Sequence, residues 1–310
     1  MRHHICRKLI VPEISADLLQ EFTRFAQFAA LAACDQNINA TGKRLTCDHP
    51  LCGLVDADKT KIIDIFQNPT GPKGYIALDH TKKLIVLAFR TSVSQQDSDV
   101  DSNKEPMKIE DLCPGCWVHS GFWYYWTSAK DHVISQLQTA IESHPDYSLA
   151  VVGHSLGGAL ATLAGIDLRQ KGFILDIVRM LMHSGGNIAD LSQWTFGSPK
   201  VGNYKLAEFI TNQRSPVSVY RATHYTDIVP KQPSDTGYSQ PSPEYWIDLP
   251  SNETVTTSDV KYIQGINSLK GNGGHNGTDQ MPDPNHEWYF GNMRVCIDPV
   301  DLISIGETEV

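Results

Sequence analysis

Apolar residues recur at helical spacing from Ser15, whose hydroxyl suits an N-cap, to about Asp35, with Phe22, Ala26, Ala29 and Ala33 on one face. Further along, the period changes. Tyr75–Leu78 and Leu84–Phe89 read as strands, and the second, LIVLAF, is apolar at every position, as a strand covered on both faces must be. Phe122–Glu142 returns to helical spacing after an aromatic start, Phe122-Trp-Tyr-Tyr-Trp126, read mostly as core with a few rings left to line a pocket. Ser148–Val152 is a further apolar strand, which runs through His154-Ser155 into the small-residue helical pattern LGGALATLAGIDLRQ. Gln193–Phe196, Val217–Ala222 and Tyr245–Leu249 complete the predicted strands. Strands alternating with helices, without an internal repeat, predict an α/β chain with a mostly parallel central sheet and helices on both faces. Two stretches lack this regularity: the loop-rich segment containing Cys47 and Cys52, and the polar, acidic run from Ser92 to Leu112.

Composition narrows the picture. With 310 residues, 41% hydrophobic and 20% charged, the chain can bury a sizeable core, and it is read as a single domain over 1–310. Its 26 Lys+Arg against 35 Asp+Glu give a net charge of −9, which opposes a nucleic-acid partner. No apolar run is long enough for a transmembrane segment. Residues 1–14 are expected to be a flexible N-terminal segment; the first twelve are basic and contain no signal-peptide core. Three sequons, at Asn39, Asn252 and Asn276, fit a glycosylated, secreted protein. The seven cysteines (6, 34, 47, 52, 113, 116 and 296) are too few for a disulfide scaffold. Cys113-Pro-Gly-Cys116 lacks a second matching knuckle, so no metal site is expected, and no nucleotide or phosphate fingerprint implies a cofactor.

Gly153-His154-Ser155-Leu156-Gly157 is G-x-S-x-G between a strand and a helix. A nucleophile on so sharp a turn needs neighbours without Cβ, because strand and helix pack closely there. The turn lifts the Ser155 hydroxyl above the sheet, near a helix N-terminus, and leaves the Leu156 N–H facing a developing oxyanion. An ordinary serine in a tight glycine-rich turn is the plain alternative. The flanking apolar strand and small-residue helix favour the nucleophile.

A serine needs a base, and the base needs an orienting carboxylate, in the chain order Ser, acid, His for this kind of turn. His286 follows PDPN and precedes the anchoring run EWYF, whereas His275 lies in the glycine-rich GNGGHNG. Asp227 follows the strand VSVYRA at its C-terminal edge, where α/β sites form, and Asp248 lies within a strand-like stretch. A turn aspartate or a surface histidine remains the plain reading of each. Spacing alone leaves these choices open.

At these residues the chain resembles the fungal extracellular, or class 3, lipases, which are related to the feruloyl esterases. The resemblance rests on Phe89-Arg90 with Ser92, Val118-His-Ser-Gly-Phe122, Gly153–Gly157, Phe196-Gly-Ser-Pro-Lys-Val-Gly-Asn203, Asp227-Ile-Val-Pro230 and His286-Glu-Trp-Tyr-Phe290. It implies an α/β-hydrolase fold and a carboxylic ester hydrolase, a triacylglycerol lipase working through an acyl-enzyme. Ser155 is then the nucleophile, Asp227 the orienting acid, His286 the general base, and Ser92 and Leu156 the oxyanion-hole residues. It also implies Cys34–Cys296, Cys47–Cys52 and Cys113–Cys116 pairs with Cys6 free, no cofactor, a monomer, and a lipid or other ester substrate met at an oil–water interface. By position the lid is 94–112. Its six acidic and two basic side chains make a poor interfacial surface, the feature that keeps a soluble or feruloyl-type esterase as the alternative. Two departures stand out. Thr91 occupies the family's usual glycine, which also leaves a catalytically silent lipid-binding module as a remote reading. The extra segment around 177–193 makes this link roughly sixteen residues longer than usual, and is expected to be a surface loop or short helix.

Overall fold

Leu84–Phe89 sends alternate residues into two separate cores: Ile85, Leu87 and Phe89 to one side, Leu84, Val86 and Ala88 to the other. The computed structural model that shows this describes residues 13–37, 39–47, 52–67, 71–93, 95–170, 191–213, 217–234, 237–277 and 283–297. Among them the helices are α1 (Ala16–Leu31), α2 (Gly53–Ala57), α3 (Gln95–Ser102), α4 (Ser120–Ser143), α5 (Leu156–Gln170) and α6 (Tyr204–Thr211). The strands are β1 (Lys61–Gln67), β2 (Lys73–Asp79), β3 (Leu84–Phe89), β4 (Pro106–Lys108), β5 (Trp117–His119), β6 (Ser148–His154), β7 (Leu191–Phe196), β8 (Gly202–Asn203), β9 (Val217–His224), β10 (Tyr238–Ser239), β11 (Glu244–Ile247) and β12 (Val260–Ile263).

The main sheet has the order β1-β2-β3-β6-β7-β9-β11-β12. Its centre, β3 through β11, is parallel, and the antiparallel pairs lie at the two edges. Helices α4 and α5 cover one face and α1 the other. The parallel registers run from Leu84↔Ser148 to Phe89↔Gly153 and on to His154↔Phe196, so β3, β6 and β7 end level with one another. The loops that carry Ser92, Ser155 and Gly197 therefore leave the sheet along one edge. A smaller sheet, β10-β8-β5-β4, stands apart.

The N-cap at Ser15 is present: its Oγ accepts from Leu18 N at 3.1 Å. The helix stops at Leu31, short of Asp35, because Ala32, Ala33 and Cys34 N–H groups bond three residues back and tighten the chain. Phe22 enters an aromatic nest formed by Trp194, Tyr245 and Phe290, at centroid distances of 5.1, 4.9 and 5.1 Å.

Strand β1, KIIDIFQ, has no counterpart among the predicted elements. The register of β1 on β2 shifts between Ile62 and Asp64. Ile62 and Phe66, four residues apart, consequently enter opposite cores, which erases a period of two. Of the expected lid, 94–112, residue 94 lies outside the described residues. Only Gln95–Ser102 is a helix; β4 beyond it pairs with β5, and Ile109 and Leu112 are buried in the core. The second half of 94–112 is thus paired with β5 and packed against the core. Of the expected flexible segment, residues 1–12 lie outside the described residues, while Glu13 bridges Lys261 and Ile14 is buried. The extra segment around 177–193 lies outside the described residues as far as 190, and 191–193 begin β7.

The structure joins Cys34 to Cys296, Cys47 to Cys52 and Cys113 to Cys116, with Cα–Cα distances of 4.8, 6.0 and 5.5 Å; Cys6 lies outside the described residues. Cys34–Cys296 spans a sequence separation of 262 and ties the end of α1 to the C-terminal segment. By loop-closure entropy such a link is worth on the order of 5 kcal/mol. Replacing both cysteines with serine is expected to lower the guanidinium-unfolding free energy by about 3–5 kcal/mol. A loss under about 1 kcal/mol would show that the bond does not constrain the unfolded chain.

Candidate active site

Ser155 stands between β6 and α5 at a φ of 55°, the left-handed region that a residue with a side chain enters at a cost of about 1–3 kcal/mol. Its backbone is held in place: Ser155 N donates to Phe196 O at 2.9 Å, and Ser155 O accepts from Gly158 N at 2.8 Å and Ala159 N at 3.1 Å. The flanking glycines are required by close approach. A Cβ on Gly153 would lie 2.0 Å from Gly157 O, and one on Gly157 would lie 2.4 Å from Phe89 O.

His286 Nε2 is 2.8 Å from Ser155 Oγ, and its Nδ1 is 2.9 Å from Asp227 Oδ2. Both His286 and Asp227 are buried. Asp227 Oδ1 accepts from Val229 N at 2.9 Å, and Oδ2 also accepts from the Tyr289 hydroxyl at 2.5 Å. Burial, reinforced by Asp227, pushes the Tyr289 hydroxyl well above its ordinary pKa, so it stays protonated and donates. Gly197, at a φ of 59°, lies flat against the pair; a Cβ there would be 3.0 Å from His286 Nδ1 and 3.1 Å from Asp227 Oδ2.

The loop bearing His286 is fixed from several sides. His286 N donates to Asp283 O at 2.9 Å, Asn285 N to Asp283 Oδ1 at 2.9 Å, and Asn285 Nδ2 to Thr226 Oγ1 at 3.0 Å. On the other side Asn272 Nδ2 donates to Asp227 O at 2.7 Å. The competing candidates are placed elsewhere. His275 is exposed and stacks on Trp246 at 4.5 Å, and Asp248 is exposed just past the end of β11.

Leu156 opens α5, so its N–H belongs to the free donors of a helix N-terminus. Ser92 lies two residues beyond Arg90 on the loop after β3, and its Oγ donates to Asp101 Oδ2 on α3 at 3.1 Å. Asp97 anchors the other end of this loop, pairing with Arg90 Nη2 at 3.0 Å and accepting from Val93 N at 3.1 Å and the Tyr125 hydroxyl at 2.8 Å. Thr91 is not among the left-handed residues, so its β-branched side chain fits this backbone without strain. Tyr289, Asp97 and Asp101 have no signal in spacing; only EWYF, flanking His286, pointed near one of them. Asn39, Asn252 and Asn276 are all exposed. Among the described residues no group of three or more His, Cys, Asp or Glu could hold a metal ion, and no helix is long and apolar enough to cross a membrane.

The sequence model of the family described as lipase (class 3) matches residues 86–237. Secreted mono- and diacylglycerol lipase A of Penicillium cyclopium is 38% identical over 288 residues, covering 91% of this chain and 88% of the relative. The chain belongs to the class 3 lipases. Secreted mono- and diacylglycerol lipase 1 of Fusarium solani is 34% identical over 281 residues, covering 90% of this lipase and 78% of that one. The crystal structure of mono- and diacylglycerol lipase from Aspergillus oryzae superposes with a TM-score of 0.76 at 36% identity, covering 90% of this chain and 98% of the other. The fold is therefore the α/β-hydrolase fold, and the protein is a secreted carboxylic ester hydrolase of the serine hydrolase class whose substrates are lipid esters.

Proposed function

We propose that this lipase cleaves acylglycerols through an acyl-enzyme formed on Ser155. The observation that carries this is the unbroken chain Ser155 Oγ, His286 Nε2, His286 Nδ1, Asp227 Oδ2, at 2.8 and 2.9 Å, on a strained turn above the sheet. Ser155 Oγ attacks the ester carbonyl carbon while His286 Nε2 takes its proton. The carbonyl oxygen becomes an oxyanion, for which the Leu156 N–H and Ser92 are the donors of this reading. His286 then returns the proton to the departing glycerol oxygen, and a water attacks the acyl-Ser155 by the same route in reverse. Asp227, holding three donors, keeps the His286 proton on Nδ1 and offsets the charge that His286 acquires.

The sequence expects a triacylglycerol lipase; the acidic helix α3 favours mono- and diacylglycerols over triacylglycerols. Helix α3 is one short element with Asp99, Asp101 and Ser102 exposed, and Val100 is its partly buried apolar contact with the core. It offers no broad apolar underside to a triacylglycerol droplet. Partial glycerides carry hydroxyls that keep their headgroups wet. The names of two relatives, mono- and diacylglycerol lipases, agree. The enzyme is read as a monomer meeting its substrate in monomeric or interfacial form, with no nucleic-acid partner. Side-by-side rates on emulsified monoolein, diolein and triolein are expected to favour the first two; equal or faster triolein turnover would reject the preference.

The same surface predicts weak interfacial activation. Plotted against tributyrin concentration through its solubility limit, activity is expected to follow a smooth saturating curve, because placing charged α3 residues on a lipid phase requires desolvating them. A steep rise at that limit, with almost nothing below it, would show that α3 works as an apolar lid.

A further inference from the structure

Thr91 stands where the sequence departs from the lipase pattern, and its side chain is buried next to the reaction centre. Its Oγ1 lies 3.2 Å from His154 Nδ1. The other nitrogen of that ring, His154 Nε2, is 2.8 Å from the backbone carbonyl oxygen of His286. The two imidazoles face one another with centroids 4.6 Å apart and planes inclined by 32°. His154 is buried too, and burial, aided by the neighbouring His286, drives its pKa well below the ordinary histidine value, so the ring is neutral.

These contacts allow one arrangement of protons. A carbonyl oxygen only accepts, so His154 Nε2 carries the hydrogen and donates to His286. A neutral ring then has a bare lone pair on Nδ1, which must accept, and the Thr91 hydroxyl is its donor. The result is a directed chain from the loop after β3 to the backbone of His286: Thr91 Oγ1–H to His154 Nδ1, then His154 Nε2–H to His286 C=O. A glycine at position 91 would have no hydroxyl to begin it. The loop that begins the chain also carries Ser92, and its Phe89 and Arg90 carbonyls press against Gly157, where a Cβ would lie 2.4 and 2.9 Å from them.

We infer that Thr91 is a positioning residue for ester hydrolysis, setting through His154 where the His286 ring stands over Ser155. The inference rests on the acyl-enzyme reading above. Thr91 touches neither substrate nor reacting atoms. Its loss leaves a buried imidazole nitrogen without a donor, and the ring can then turn or exchange its proton, releasing the His286 carbonyl. Reactivity depends on Nε2 reaching Ser155 Oγ in a narrow geometry, so small displacements of His286 act on kcat, while binding of the acyl chain is left alone.

The test uses Thr91→Val, which keeps the branched shape, Thr91→Ala, which cannot overpack, and Thr91→Ser, which restores the hydroxyl. Kinetics on p-nitrophenyl butyrate below its solubility limit would be normalised to folded protein, alongside Ser155→Ala. Thr91→Val and Thr91→Ala are each expected to lose about tenfold in kcat, ~1.4 kcal/mol of barrier, at unchanged KM, and Thr91→Ser to stay within about twofold of the parent. A loss of less than about threefold in either hydroxyl-free variant, a change confined to KM, or a Thr91→Ser loss equal to that of Thr91→Val would overturn the inference. An inactive Ser155→Ala beside a normal Thr91→Val would remove this inference alone. An active Ser155→Ala would remove both it and the acyl-enzyme reading.

Discussion

Ser155→Ala is expected to reduce ester hydrolysis by at least about 10³-fold, ~4 kcal/mol of barrier, while leaving the fold intact. The Ser155 hydroxyl bonds to His286, and the backbone of Ser155 is held by Phe196 O, Gly158 N and Ala159 N, contacts that the substitution leaves in place. Alanine at a φ of 55° carries about the same strain as serine, so the melting temperature should move little. What remains after the nucleophile is gone is the oxyanion hole and substrate binding, which alone give a small fraction of the rate. Activity per folded molecule, with circular dichroism as the control, measures this. Retention of a tenth of the parent rate would remove Ser155 from the chemistry.

Asp227→Asn is expected to lower kcat by roughly 10³–10⁴-fold with a smaller effect on KM. The carboxylate receives three donors: Val229 N on Oδ1, His286 Nδ1 and the Tyr289 hydroxyl on Oδ2. An asparagine has one acceptor oxygen. In either amide orientation its NH2 must face a donor that now has nowhere to donate. With the NH2 towards His286, the imidazole is pushed to the tautomer whose proton is on Nε2, and it can no longer take one from Ser155. With the NH2 towards Val229, a partly buried backbone N–H is left unsatisfied at up to about 1–3 kcal/mol, so stability falls as well. The two outcomes are separated by measuring kcat and the urea midpoint on the same preparation. A variant close to the parent in both would mean that Asp227 is not the partner of His286.

Legibility in the sequence followed the physics of each element. Leu84–Phe89 was readable because burial on both faces leaves no polar position, and Gly153–Gly157 because a tight strand-to-helix approach excludes Cβ at two fixed places. Strand β1 was hidden by its register shift, and β8 and β10, two residues each, are too short to show any period. Asp227 and His286 were preferred on loop placement, but their union is a tertiary fact: 59 residues separate them and the sequence holds no mark of the contact. Tyr289 lies in the run EWYF, yet the direction of its hydroxyl depends on the turn after His286. Thr91 stands out in the sequence only as a replaced glycine; its backbone is ordinary, and the contact of its hydroxyl with His154 is visible only in the folded chain.

Acyl-enzyme catalysis requires that Ser155 Oγ become covalently bonded during turnover. A p-nitrophenyl alkylphosphonate ester tests this directly, because attack by an activated serine releases p-nitrophenolate and leaves a stable phosphonyl ester on the attacking oxygen. Intact mass and fragmentation of the peptide containing Gly153–Gly157 should locate a single phosphonyl group on Ser155, matched by an equimolar release of p-nitrophenolate and absent from Ser155→Ala. Stoichiometric labelling at another residue, or undiminished labelling of Ser155→Ala, would contradict it.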